Sequence, residues 1–188
     1  MNGSAAVDRV LETPRLRLRI VGESDAARVV ELMTRSVSDW LASWPYPLDE
    51  ATAAARLREL RQLVTAGNGL CFAIVRREGD LIGMVSVIRA SLDARRGGLG
   101  YWLGEAYQQQ GYMSEAVTAA LSDAFLRLDL HAVEAGAQPE NVASLAIMRR
   151  LGMRAIGERS MWAAARQREE ICAYYEITRD EHAARRAV

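Results

Sequence analysis

The stretch Leu99-Gly100-Tyr101-Trp102-Leu103-Gly104-Glu105-Ala106-Tyr107-Gln108-Gln109-Gln110-Gly111-Tyr112-Met113-Ser114-Glu115-Ala116 decides how the rest of the chain is read. It begins as an apolar, aromatic run of strand character, passes through a short glutamine-rich turn and enters an amphipathic helix directly. That helix is expected to run from Gly111 to Leu128, with Val117, Leu121, Ala124, Phe125 and Leu128 on one face. The first turn of a helix carries backbone N–H groups without intrahelical partners and the positive end of the dipole. Gly111 lets a ligand approach the backbone closely. Together these predict an anion site that needs no cationic side chain and suits a pyrophosphate, although an ordinary strand–turn–helix join has the same outline. Gly97-Gly98-Leu99-Gly100 is also glycine-rich, but it precedes a strand and opens no helix. That is the reverse of the dinucleotide-binding fingerprint.

Upstream, Arg15-Leu16-Arg17-Leu18-Arg19-Ile20 alternates charged and apolar residues, the mark of a strand with one wet face. Ser24-Asp25 starts a helix with Ala26, Val29, Val30 and Met33 on one stripe. Asp49 caps a second helix, with Leu57, Leu60 and Val64 inward and Gly67-Asn68-Gly69 as its stop. Leu70–Val75 and Leu81–Ile88 read as a hairpin, followed by a strand from Gly98 to Leu103. Downstream come a strand at His131–Ala137 and a helix at Glu140–Leu151 with Val142, Leu145 and Met148 inward. Two closing strands follow, Arg154–Trp162 and Glu170–Ile177. The expected fold is one α+β domain over residues 13–181, with a loose arm at 1–12 and a short tail at 182–188. Its centre is a twisted, mostly antiparallel sheet of about seven strands flanked by about four helices.

The chain has 188 residues, half of them hydrophobic, enough for a packed core. All 24 positive side chains are arginine, balanced by 24 acidic ones. Without lysine there is no Schiff-base or PLP chemistry and no P-loop amine. Zero net charge argues against a dedicated nucleic-acid binder. Cys71 and Cys172, with His131 and His182 at unrelated spacings, form neither a disulfide framework nor a metal-ligand pattern, so buried thiols and no metal are expected. No run approaches the ~20 apolar residues of a membrane span, and the start lacks a signal-peptide apolar core. A cytoplasmic protein, a monomer or homodimer, is the resulting expectation.

Two motifs carry a resemblance to a known family. Gln108-x-x-Gly111-x-Met113 looks like the Q/R-x-x-G-x-G/A coenzyme A loop of the GCN5-related N-acetyltransferases (GNAT), with Met113 standing where the strict loop has Gly or Ala. Gln138-Pro139-Glu140-Asn141-Val142-Ala143-Ser144, followed by Arg149-Arg150-Leu151-Gly152-Met153, resembles the P-E-N-x-x-S and K-L-G-F signature of their RimJ/RimL-like branch. That branch includes enzymes acetylating N-terminal amines of ribosomal proteins. The resemblance covers roughly residues 11–181. It implies that the pyrophosphate of acetyl-CoA lies on the backbone N–H groups of Gln108, Gly111, Tyr112, Met113 and Ser114. It further implies that the pantetheine arm pairs with the strand ending at Trp102-Leu103, where a bulge splays that strand from the next. Asn141 would hydrogen-bond the arm, and the N–H near Leu103 would polarise the thioester carbonyl. The Arg149-Arg150 pair reads first as a solvated helix face, and as an alternative one of its arginines would reach the 3′-phosphate.

The reaction so implied moves an acetyl group from sulfur to a neutral amine, which needs a proton acceptor and a donor for the departing thiolate. Many members of the wider family place a tyrosine seven residues after the asparagine as that donor. Here the position is Met148, so Ser144 becomes the candidate, unless its hydroxyl is satisfied within its own helix. Glu134 is the candidate base, or else a surface glutamate on a half-exposed strand; Glu105, beside the cofactor turn, is a weaker second, and ordered water a third route. Trp40, Trp44 and Tyr46, in a segment that Pro45 and Pro47 keep from being helical, either plug the end of the core or wall the acceptor pocket. The acceptor is a protein N-terminus or a small amine. The rival reading is a non-catalytic acyl-CoA-binding or regulatory domain that kept the loop and lost the acid.

Overall fold

The alternating Leu16-Arg17-Leu18-Arg19-Ile20 forms a strand in which Leu16, Leu18 and Ile20 are buried and Arg17 is exposed. In the computed structural model, which describes residues 9–90 and 95–186, this strand is the second of eight. The strands are β1 (Val10–Glu12), β2 (Leu16–Ile20), β3 (Gly69–Arg76), β4 (Leu81–Arg89), β5 (Arg96–Leu103), β6 (Ala132–Ala137), β7 (Arg154–Ala163) and β8 (Arg168–Thr178). The helices are α1 (Ala26–Leu32), α2 (Arg35–Ser38), α3 (Glu50–Thr65), α4 (Tyr112–Arg127), α5 (Val142–Arg150) and α6 (Arg179–Arg186). All strands join one sheet in the order β1-β2-β3-β4-β5-β6-β8-β7. Every neighbouring pair is antiparallel except β5 and β6. A parallel pair needs a crossover, and α4 supplies it.

β3 is buried along almost its whole length, which matches its unbroken apolar run and its place in mid-sheet. Leu57, Leu60 and Val64 of α3 are buried, as are Val117, Leu121, Ala124, Phe125 and Leu128 of the α4 segment, so both helical stripes are the faces the sequence predicts. Asp49 caps α3 by accepting from Thr52 N at 2.7 Å. At its other end Gly67 takes φ +72°, Gly67 N donates to Val64 O and Asn68 N to Leu63 O, a Schellman closure. Cys71 and Cys172 are both buried free thiols.

Four expectations are corrected. Residues 10–12 belong to β1, paired with β2 and preceded by Arg9, which is ion-paired to the buried Asp123, so they are not part of a loose arm; residues 1–8 lie outside the described residues. Residues 182–186 are not a tail but continue α6, where His182 packs against Phe125 at 5.3 Å between ring centroids. Val142 points outward, because Asn141 ends the preceding turn as N-cap and leaves Val142 at the first exposed position of α5. The β4–β5 register steps without a shift from Gly83↔Leu103 to Arg89↔Gly97, so no bulge interrupts that pairing.

Candidate active site

β5 pairs with β4 over seven residues but with β6 only through Arg96, Gly97 and Gly98. Beyond Gly98 the two strands diverge, and this divergence, not a bulge, opens the sheet. Gly104 N donates to Ile82 O at 3.0 Å, continuing the β4 ladder. Because alternate residues of an antiparallel strand address the same neighbour, Trp102 and Gly100 turn their backbone groups toward β4. Tyr101 and Leu103 therefore turn theirs toward the gap that β6 vacates. The Leu103 carbonyl accepts from Gln108 Nε2 at 3.0 Å, while its N–H faces the gap. A cleft of about 1090 Å³ passes through this opening.

On one face of the sheet the cleft meets the start of α4. Gly111 takes φ +81° as N-cap, Gln109 takes φ +60°, and no side chain caps the first turn. The N–H groups of Tyr112, Met113 and Ser114 are the first three of the helix and have no intrahelical acceptor. Arg15 braces this loop from outside. Its Nη1 donates to Gln110 O at 2.9 Å, its Nε to Glu115 Oε2 at 2.7 Å, and its guanidinium lies 4.6 Å from the Tyr112 ring centroid. The Met113 side chain is buried, which turns it away from the loop and leaves its backbone unobstructed.

The same face carries Asn141, whose Oδ1 accepts from Ser144 N at 3.1 Å and caps α5. The amide nitrogen of Asn141, in the cleft wall, is left as a donor. The Tyr101 hydroxyl stands 2.8 Å from Ser144 Oγ and 3.2 Å from Ser144 O. Burial pushes the Tyr101 phenol up to about 12, against the opposite pull of its bond to Ser144. It therefore stays protonated at neutral pH. Arg150 also borders the cleft, whereas Arg149 lies over the Tyr175 ring at 5.8 Å.

The opposite face follows from strand parity. Met84↔Trp102, Ser86↔Gly100 and Gly98↔Glu134 are paired positions, so their side chains share a side, which is also bordered by Arg56 and Leu60 of α3. Glu134 is mostly buried there, with Oε1 accepting from Arg96 and Oε2 from Arg159. Burial raises its pKa, but the bonds from Arg159 and Arg96 outweigh that and lower it overall. Arg96 also pairs with the buried Glu176, which Arg154 pairs in turn. Arg159 lies 3.9 Å from the Tyr174 ring centroid.

Trp44 is buried and meets Trp102 edge-on at 6.0 Å, and Trp40 is 43% exposed at the cleft mouth. Tyr46 does not border the main cleft; it lines a neighbouring hollow with Trp40, its ring 5.3 Å from the Arg35 guanidinium. Glu105 lies off the cleft, held by the Thr34 and Ser36 hydroxyls, whose bonds lower its pKa. Among the described residues, no three His, Cys, Asp or Glu side chains converge as metal ligands, and no helix is long and apolar enough to cross a membrane.

A family model described as an acetyltransferase (GNAT) domain matches residues 15–154. The chain belongs to the GNAT acetyltransferase family. YjcK of Bacillus subtilis, which carries the name of an N-acetyltransferase, is 34% identical over 101 residues, 52% of this chain and 55% of YjcK. The chain thus spans about half the length of this relative and of a second Bacillus subtilis relative, YnaD, of which 49% is covered. The [ribosomal protein uS5]-alanine N-acetyltransferase of Escherichia coli is 30% identical over 151 residues, 76% of each chain. A Vibrio cholerae structure named as a ribosomal-protein-serine acetyltransferase superposes with a TM-score of 0.79 at 26% identity, covering 92% of this chain and 99% of that one.

Several residues of this candidate site are not legible from the motifs of the GNAT chain. Tyr101 sits in the decisive stretch, but only the fold brings it to Ser144. Arg166 donates through Nη1 to Ser38 O at 3.0 Å and Leu41 O at 2.8 Å, fastening the loop that carries Trp40 and Trp44. Arg56 reaches the cleft from α3, a helix whose sequence shows only an amphipathic pattern. In each case the signal lies in long-range packing, which no local spacing encodes.

Proposed function

We propose that this GNAT protein transfers the acetyl group of acetyl-CoA to a primary amine by direct attack within a ternary complex. The observation that carries this reading is the opening between β5 and β6, which joins a helix start without a side-chain cap on one face of the sheet to an aromatic-walled cleft on the other. Acetyl-CoA enters on the α4–α5 side. Its pyrophosphate lies on the loop from Gln108 to Ser114, Asn141 and the β5 edge hold the pantetheine, and Arg150 reaches the 3′-phosphate. The amine arrives from the Trp40–Trp44 side. Its lone pair attacks the thioester carbon, the Leu103 N–H stabilises the developing oxyanion, and the C–S bond breaks. Ser144, backed by Tyr101, donates a hydrogen bond to the departing thiolate, which takes its proton from water.

Glu134 faces the acceptor side, yet both of its oxygens are engaged by arginines and its pKa is lowered, which makes it a weak base. The amine proton therefore leaves through water, and Glu134 serves to hold Arg96 and Arg159 in place. An α-amine, with a pKa of about 7.7–8.0, reaches the neutral state more readily than a lysine at about 10.4. This favours a protein N-terminus or a small α-amine as acceptor, in keeping with relatives named for ribosomal-protein alanine and serine acetylation. Incubation with acetyl-CoA and a panel of N-terminal peptides and small amines, reading thiol release and acetylated product, tests the reading. CoA protection against thermal unfolding together with turnover supports it; binding of CoA without turnover on any amine favours a non-catalytic acyl-CoA-binding domain.

A further inference from the structure

Arg56 and Trp102 present two buried N–H donors with no partner, Arg56 Nε and Trp102 Nε1, and both residues border the acceptor end of the cleft. Buried donors left without an acceptor are costly, on the order of 1–3 kcal/mol each, and call for an explanation. Trp102 itself is only 6% exposed. The two are close in the fold. The rows Cys71↔Ser86↔Gly100 and Ala73↔Met84↔Trp102 are adjacent on one sheet face. Arg56 lines the same cleft as Trp102 and is near enough to Cys71 that its charge offsets part of the rise that burial imposes on the thiol.

Charge pairing separates Arg56 from the other arginines on this face. Arg96 and Arg159 are neutralised by Glu134 and Glu176. Among the described residues Arg56 pairs only with Glu59, three residues on along the same helix and 62% exposed, a solvent-screened pair of little strength. The floor beneath is open, because Gly98 and Gly100 place no side chain there and both are exposed.

We infer that the acceptor carries a carboxylate close to its reactive amine, and that Arg56, assisted by the Trp102 indole N–H, recognises it and sets acceptor specificity. The inference rests on the transferase reading and names its substrate class: an acidic α-amine, such as a peptide with Asp or Glu next to its N-terminal residue.

The test compares two amidated peptides, Ala-Asp-Ala and Ala-Asn-Ala, which differ only in the charge of one side chain. Both kcat/KM with acetyl-CoA and equilibrium binding to the CoA-loaded protein are measured. A charge-assisted contact predicts a preference for the Asp peptide of about tenfold. Arg56→Gln brings the ratio to about one, Arg56→Lys retains part of it, and Trp102→Phe, which keeps a ring against Trp44, reduces it. A ratio near one in the unsubstituted protein, or an undiminished ratio in Arg56→Gln, overturns the inference. Should neither peptide turn over, the binding ratio decides by the same standard, while CoA protection against unfolding reports separately on the transferase reading.

Discussion

The Tyr101 hydroxyl meets Ser144 Oγ at 2.8 Å across 43 residues of sequence, joining β5 to α5 at the point where the sheet opens. The phenol, pushed up to about 12, remains a donor, and it also lies 3.2 Å from the Ser144 carbonyl oxygen. The Ser144 hydroxyl is thus held in place by a neighbour that is itself neutral at working pH. Ser144→Ala is expected to lower kcat by about 100-fold and Tyr101→Phe by about tenfold, with little change in KM for acetyl-CoA. Since Tyr101 acts through Ser144, the double variant should lose no more than Ser144→Ala alone. Thiol-release kinetics on the four proteins check this; additive losses would mean that the two groups act independently.

Glu134 provides a pH signature. Its folded-state pKa is depressed, so the carboxylate is charged throughout the neutral range and does not titrate there. The rate between pH 6 and 9 should then follow the acceptor, rising as an α-amine loses its proton near pH 7.7–8.0 (roughly). Glu134→Gln is expected to be several-fold slower, because Arg96 and Arg159 lose their shared partner, while its pH profile keeps the same inflection. An inflection that vanishes or moves in the variant would make Glu134 the base after all.

The order of strands and helices was legible because their periodicities are strong: alternation in β2, a continuous apolar run in β3, and i, i+4 stripes in α3 and α4. β1 and α2 were not, being three and four residues long and stabilised by pairing and packing instead of by local pattern. In the candidate site, the turn into α4 was legible since a left-handed glycine and a helix start announce themselves locally. The acceptor side was not. Trp40, Trp44 and Tyr46 look alike in sequence, yet Trp44 is 6% exposed against Trp102 and Tyr46 lies outside the cleft. What separates them is how loop 38–48 docks on the turn between β7 and β8, a contact of Ala165 N with Ala42 O at 2.8 Å and of Arg166 with Ser38 and Leu41.

Gly111 tests the cofactor loop. At φ +81° a side chain is strained, and a Cβ would lie 3.3 Å from Arg15 Nη2, the arm that braces the loop. Gly111→Ala should cost about 1 kcal/mol of stability and weaken CoA binding at least tenfold, read as a reduced thermal shift on adding CoA. Arg15→Gln should weaken binding less, because it removes the brace and leaves the backbone donors. Equal CoA protection in Gly111→Ala and the unsubstituted protein would remove this loop from the cofactor site.

The clamp on loop 38–48 predicts an acid sensitivity with a definite sign. Glu170 accepts from Arg166 Nε at 2.7 Å and Nη2 at 2.6 Å, from Arg168 Nε at 2.7 Å and from Gln138 Nε2 at 2.9 Å. The Arg166 bond, opposed by burial and supported by Arg168 and Gln138, holds its pKa at about 2. An unfolded glutamate titrates near ~4.3. The folded value being the lower one, the stabilisation is complete above the unfolded pKa and is lost as pH falls through about 2. Glu170→Gln should therefore be less stable at pH 7 by about 1 kcal/mol, with the gap closing as the pH is lowered toward 2. At neutral pH, Arg166→Ala frees the Ser38 and Leu41 carbonyls and should raise KM for the amine several-fold while leaving KM for acetyl-CoA in place. Thermal melts from pH 2 to 7 and acceptor titrations check the two halves; a gap that widens on acidification, or a change confined to acetyl-CoA, would mean that this clamp does not hold the acceptor wall.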